Sequence, residues 1–98
     1  MTNINHDSEI ALDQELQTAA EQVPVGALYA HYKHPELIYI IGGHCMMEAT
    51  DRPAVIYQAQ YGKKITWARE LGVFLETVEY EGKTVPRFTR IANESASE

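Results

Sequence analysis

A lone cysteine, Cys45, cannot form an internal disulfide, and it cannot anchor a zinc site built from several thiolates. One unpaired thiol fits a reducing compartment. Long apolar runs are missing as well: "LIYIIGG" and "GVFL" fall far short of the roughly 20 residues a membrane helix needs. The opening "MTNINHDSEIALD" has neither a basic start nor an apolar stretch, so a secretory signal has no support and a cytoplasmic location is expected. The four histidines, His6, His31, His34 and His44, show no paired spacing backed by carboxylates, so neither metal nor cofactor is expected. Gly42 and Gly43 are followed by neither a helix start nor a lysine at phosphate-loop spacing, and they predict a bulge or sharp bend instead.

Basic residues are absent from the first 23 positions, where Asp7, Glu9, Asp13, Glu15 and Glu21 stand alone. All eight Lys and Arg follow, against seven acidic residues in 24–92, so the net charge of −6 belongs to the N-terminal segment and to Glu94 and Glu98 near the end. The body is close to neutral, and the chain-wide acidity therefore says little about any face built from it. With 45% hydrophobic and 22% charged residues, 98 residues suffice for one packed domain and not for two.

Leu12, Leu16, Ala19, Ala20 and Val23 recur at i, i+4, i+7, i+8 and i+11, which predicts a helix over 8–23 with one apolar stripe. Asp7 or Ser8 would cap its start, and Pro24 would end it. Alanines thin the stripe, so the helix must lean on the rest of the fold or on a second copy. Residues 1–7 and the acidic tail 93–98 are expected to be disordered.

After Pro24 the period changes from 3.6 to 2. "VIYQAQY" sets Val55, Tyr57, Ala59 and Tyr61 on one face and Gln58 and Gln60 on the other, a half-buried strand. "GALYAHYK", "LIYIIGG", "KITWAR", "VFLETVEY" and "TVPRFTRI" read as further short strands, with turns at His34–Pro35, Gly62–Lys63 and Glu81–Gly82 and a longer loop over 49–53. Pro86, without an amide, requires that its strand begin there or lie at an edge. Five or six short strands over 24–92 predict a mainly β fold, a small SH3-like barrel with an N-terminal α-helix.

Several of these segments, taken together, resemble a bacterial family known as domain of unknown function 1653. The likeness rests on His31, Tyr32 and Lys33; on Val55, Ile56 and Tyr57; on Tyr61 and Gly62; on Trp67 and Arg69; on Phe74; and on Pro86, Arg87 and Phe88. It covers about residues 26–91. His34 and Pro35 stand where the family has glycine, Glu70 where it has proline, and "HCMMEATDRP" replaces a shorter loop. The resemblance implies an SH3-like barrel and no activity.

Trp67 and Arg69, two apart on a strand, share a face, and Tyr61, Arg87 and His31 with Tyr29 are candidates to join them. Aromatic rings with a guanidinium at the rim suit a carboxylate, a phosphate or a planar ligand. The competing structural reading makes Trp67 a core residue, pairs Arg69 with Glu70 or Glu76, and has His31 bonded within the fold. Cys45 beside His44 is badly placed for Cys–His catalysis, because neighbours on an extended segment face opposite ways. Met46 and Met47 read as filling under the loop. The expected function is a non-enzymatic binding module whose ligand-binding face is His31, Tyr61, Trp67, Arg69 and Arg87, meeting a protein, peptide or small anionic ligand. The alternatives are an enzyme using His31 and Arg69, or a weak binder of single-stranded nucleic acid, which the slight local positive charge disfavours. A homodimer through the helix or a strand edge is the remaining partner reading.

Overall fold

Proline at position 24 separates two regimes of backbone, and the computed structural model, which describes residues 6–92, shows both. Helix α1 runs His6–Gln22. It begins upstream of the predicted start and takes in residues 6 and 7, which were expected to be disordered; the rest of the termini expected to be disordered, 1–5 and 93–98, lie outside the described residues. Its stripe is the predicted one: Ala19 and Val23 are fully buried, Leu12, Leu16 and Ala20 partly, and the positions between them face solvent. The helix lies against β2 (Ile38–Met47) and β3 (Arg52–Ala59), where the His44 Nε2–H donates to the Val23 carbonyl at 2.7 Å and so ties down its C-terminal end.

The other strands are β1 (Leu28–His31), β4 (Thr66–Glu70), β5 (Thr77–Tyr80), β6 (Lys83–Pro86) and β7 (Phe88–Ile91), with one helical turn, α2 (Leu71–Phe74), after β4. Seven strands form where five or six were expected, because "TVPRFTRI", read as one strand, is two; "VFLETVEY" is also broken, but its first part is helical and only its second is a strand. In "VFLETVEY" the chain must leave the sheet after β4, and the Leu75 amide closes a turn on the Leu71 carbonyl that swings Phe74 into the core. In "TVPRFTRI" Pro86 ends β6, and Arg87 hands its amide to the Glu76 carbonyl before β7 begins. "HCMMEATDRP" is mostly strand: β2 continues through Met47, the turn is confined to the residues before Arg52, and Met47 is exposed instead of packing beneath a loop.

Pairing is antiparallel throughout, in the order β4-β3-β2-β1-β7, with β5-β6 as a separate two-stranded sheet. The ladders stop at β4 and β7, so among the described residues the five-stranded sheet does not close on itself. The fold is mainly β with an N-terminal helix. The register of β2 on β3 slips between Ile41 and Gly43, leaving Gly42 as the extra residue of the predicted bulge. That slip turns His44 to the face of Val55, toward α1. At the β5–β6 hairpin Tyr80 pairs with Lys83 across Glu81 (φ 52°) and Gly82 (φ 78°). Positive φ at both central residues is the turn that matches the twist of a two-residue hairpin.

The core holds Val23, Ala27, Tyr29, Ile41, Val55, Tyr57, Phe74 and Phe88. Phe74 and Phe88 stack at 4.3 Å and 7°, and Tyr29 and Tyr57 meet Phe74 edge-on at 5.2 and 5.4 Å. No helix among the described residues is long and apolar enough to cross a membrane.

Candidate functional site: an aromatic recess at the sheet edge

Alternation along β3 sends Val55, Tyr57 and Ala59 inward, and the register sets Trp67 opposite Tyr57 and Arg69 opposite Val55. Trp67 and Arg69 therefore point to the inner side of the sheet, but from its last strand, where nothing covers them fully. Trp67 is 49% exposed, which removes it from the core. The two side chains join Tyr39, Tyr57 and Phe88 around a recess of about 150 Å³.

Its floor is a ring cluster held at fixed angles. Tyr57 is edge-on to Tyr39 at 5.4 Å and to Phe88 at 5.3 Å, and Tyr39 is edge-on to Phe88 at 6.0 Å. Edge-to-face packing of this kind fixes each ring through its neighbour's quadrupole. Tyr61 stands behind Tyr39, edge-on at 5.5 Å, and their hydroxyls share a hydrogen bond. Burial, followed by that bond, pushes the Tyr39 hydroxyl up to about 12, so it stays protonated and able to donate at any physiological pH. A second shallow recess, about 200 Å³, lies beyond Trp67 against Tyr61, Lys63, Lys64 and Ile65. The indole is thus a partition between two hollows.

The arginines differ. Arg87 donates to Glu76 Oε1 at 2.5 Å, so its charge is matched, although its buried Nε has no partner among the described residues. Arg69 pairs with neither Glu70 nor Glu76. Its Nε–H reaches the Tyr57 hydroxyl at 3.4 Å, while Glu70 accepts from the Thr50 hydroxyl. Among the described residues Arg69 forms no ion pair and presents an unneutralised guanidinium at the recess. His31 lies next to this group without lining it: its ring meets Phe88 edge-on at 5.2 Å, and its Nδ1 accepts from the Lys33 amide at 3.2 Å. Burial first, then the nearby charges of Arg69 and Arg87, hold His31 below its ordinary 6.5, so it is neutral at pH 7. His44 and Cys45 lie elsewhere on β2, and no group of three or more His, Cys, Asp or Glu among the described residues is arranged to hold a metal.

Of the residues singled out from the sequence, Trp67 and Arg69 line the recess, Tyr61 and His31 pack behind its rings Tyr39 and Phe88, and Arg87 is held by Glu76 instead. Tyr39, Tyr57 and Phe88, which build its floor, come from β2, β3 and β7. The inward parity of Tyr57 was readable along its own strand, but its meeting with the other two needs the strand order.

The family description "Protein of unknown function (DUF1653)" matches residues 27–90. The chain belongs to the DUF1653 family. A crystal structure of a DUF1653 protein from Bordetella bronchiseptica is similar over 71% of this chain and 90% of that one, at 28% identity and a TM-score of 0.60. No curated protein matches the chain. The DUF1653 region takes in every residue of the recess and leaves out α1.

Proposed function

We propose that this DUF1653 protein is a non-enzymatic binding module whose recess receives a small anionic group carried on a flat or apolar body. The carrying observation is the unpaired Arg69 guanidinium beside four aromatic rings. A guanidinium offers a carboxylate or phosphate several N–H donors in one plane, and rings at its side take up apolar surface. A volume of about 150 Å³ is small for a whole metabolite, since such pockets usually span about 300 to 1,000 Å³. It suits one side chain, a chain-terminal carboxylate or a substituted ring. The second hollow beyond Trp67, with Lys63 and Lys64, gives an extended peptide room to continue across the indole. We read the curled sheet with its β5–β6 hairpin as an SH3-like barrel, which supports this use of its open side; the strand order, four consecutive neighbours with the last strand beside the first, is the supporting observation. His31 does not line the recess and its Nδ1 is engaged, which favours binding over the enzymatic reading.

The test is a heteronuclear NMR titration of the labelled protein with benzoate, phenyl phosphate and peptides ending in an aromatic residue. Shifts should concentrate on the Trp67 indole N–H and the Arg69 Nε–H. Arg69→Ala should abolish them while costing about 1 kcal/mol of stability, because the side chain is only partly buried and holds one long hydrogen bond. Substantial unfolding of Arg69→Ala would assign the residue to the fold, and shifts confined to other faces would reject the recess.

A further inference from the structure

β4 is the last strand of its sheet, and its outer side carries no partner strand among the described residues. Which backbone groups are left open follows from the register. The Ala59 amide donates to the Ile65 carbonyl at 2.9 Å, and every β3–β4 pair keeps the same register, so Ile65, Trp67 and Arg69 direct their amides and carbonyls to β3. Thr66, Ala68 and Glu70 direct theirs outward. No proline, lysine or bulge interrupts Thr66–Glu70, and Ile65 and Trp67 are 53% and 49% exposed; the one inward-pointing charge on this edge is Arg69.

We infer that β4 pairs antiparallel with β4 of a second copy about a twofold axis through Ala68. That register sets Ala68 against Ala68 and Thr66 against Glu70 as hydrogen-bonded pairs, using all three open amides of each strand, with the Glu70 carbonyl accepting on its second lone pair because it also opens α2. Its side chains are complementary to themselves. Thr66 faces the Glu70 carboxylate, and Trp67 faces Arg69. The last is a non-hydrogen-bonded pair, the kind in which opposite side chains approach most closely. Each guanidinium then lies against the other copy's indole through its face, and its N–H edge stays free for an anion. The other ways of pairing are poorer. About Glu70, two carboxylates meet. On β7, the opposite edge of the sheet, pairing about Arg90 sets two guanidiniums together, and pairing about Phe88 runs into Pro86, which has no amide. The dimer rests on the position of β4 and not on the ligand reading.

Sedimentation velocity from about 10 μM to 1 mM, a span covering weak association, should show the 11.1 kDa mass doubling with concentration. Ala68→Pro removes only an outward amide and leaves the β3 ladder intact, so it should give a folded monomer throughout. Ala68→Lys, which keeps the amide and sets two ammonium groups face to face on the axis, should do the same and decides alone if the proline variant does not fold. A wild-type monomer at the highest concentration overturns the proposal, as would be seen if the edge captures only foreign peptides. A dimer that persists in Ala68→Lys also overturns it and points to α1 or another face.

Discussion

Replacing Phe74 with alanine should remove most of the stability of this domain. Phe74 is 1% exposed and touches three aromatic partners, stacked on Phe88 and edge-on to Tyr29 and Tyr57. Phenylalanine-to-alanine changes in cores cost about 3 to 5 kcal/mol, part for lost transfer and part for the cavity left behind. The upper end applies, because aromatic pairs add about 0.5 to 1.5 kcal/mol beyond area and their rings cannot collapse into the gap without losing their angles. A chain of 98 residues has a total of about 5 to 15 kcal/mol to lose. In urea, followed by far-ultraviolet circular dichroism with a slope of about 1 to 1.5 kcal/mol/M, the midpoint should fall by about 3 to 5 M or the transition should vanish. Trp67→Ala is the control: half its surface is already in water, and about 1 kcal/mol is the expected cost. A Phe74→Ala loss below about 1 kcal/mol, or a Trp67→Ala loss as large as that of Phe74→Ala, would refute the division between core and recess drawn from the burial of these rings.

His31 is held below 6.5 in the fold, so below that pH the unfolded chain binds a proton that the native state refuses; stability should fall as pH drops from 7 and level off below the native value, and His31→Gln should show a shallower acid slope between pH 7 and 5. Equal slopes for the two proteins would remove His31 from the account. Deleting residues 1–23 takes away the fully buried Ala19 and Val23 and uncovers β2 and β3; about 3 kcal/mol of lost burial corresponds to a melting temperature lower by about 15 °C. An unchanged melting temperature would show that α1 does not support the sheet.

How far the sequence could be read depended on the range of the interaction that decides each element. The α1 stripe and the alternation of Val55, Tyr57 and Ala59 are set by neighbours a few residues away, and both formed as the pattern predicted. Gly42–Gly43 and Glu81–Gly82 announced a bulge and a tight turn for the same local reason. Leu71–Phe74 did not read as a helix because one turn carries too little periodicity, and its conformation is imposed by the need to bring Phe74 under the sheet. The site shows the same contrast. The spacing of Trp67 and Arg69 put them on one face, but the floor of Tyr39, Tyr57 and Phe88 exists only because three distant strands converge. Arg69 and Arg87 looked alike in the sequence, and only the approach of Glu76 to Arg87 separates the matched charge from the free one.

The partition between the two hollows is also the sole indole of the chain. The unlabelled protein thus carries its own optical probe at the place where a guest would sit. A molecule settling on either side strips water from the outward half of that ring and shifts its emission to shorter wavelength, whereas one lodging between α1 and Pro53 leaves the signal still. A compound collection can therefore be sorted by location as well as by affinity before any ligand has a name.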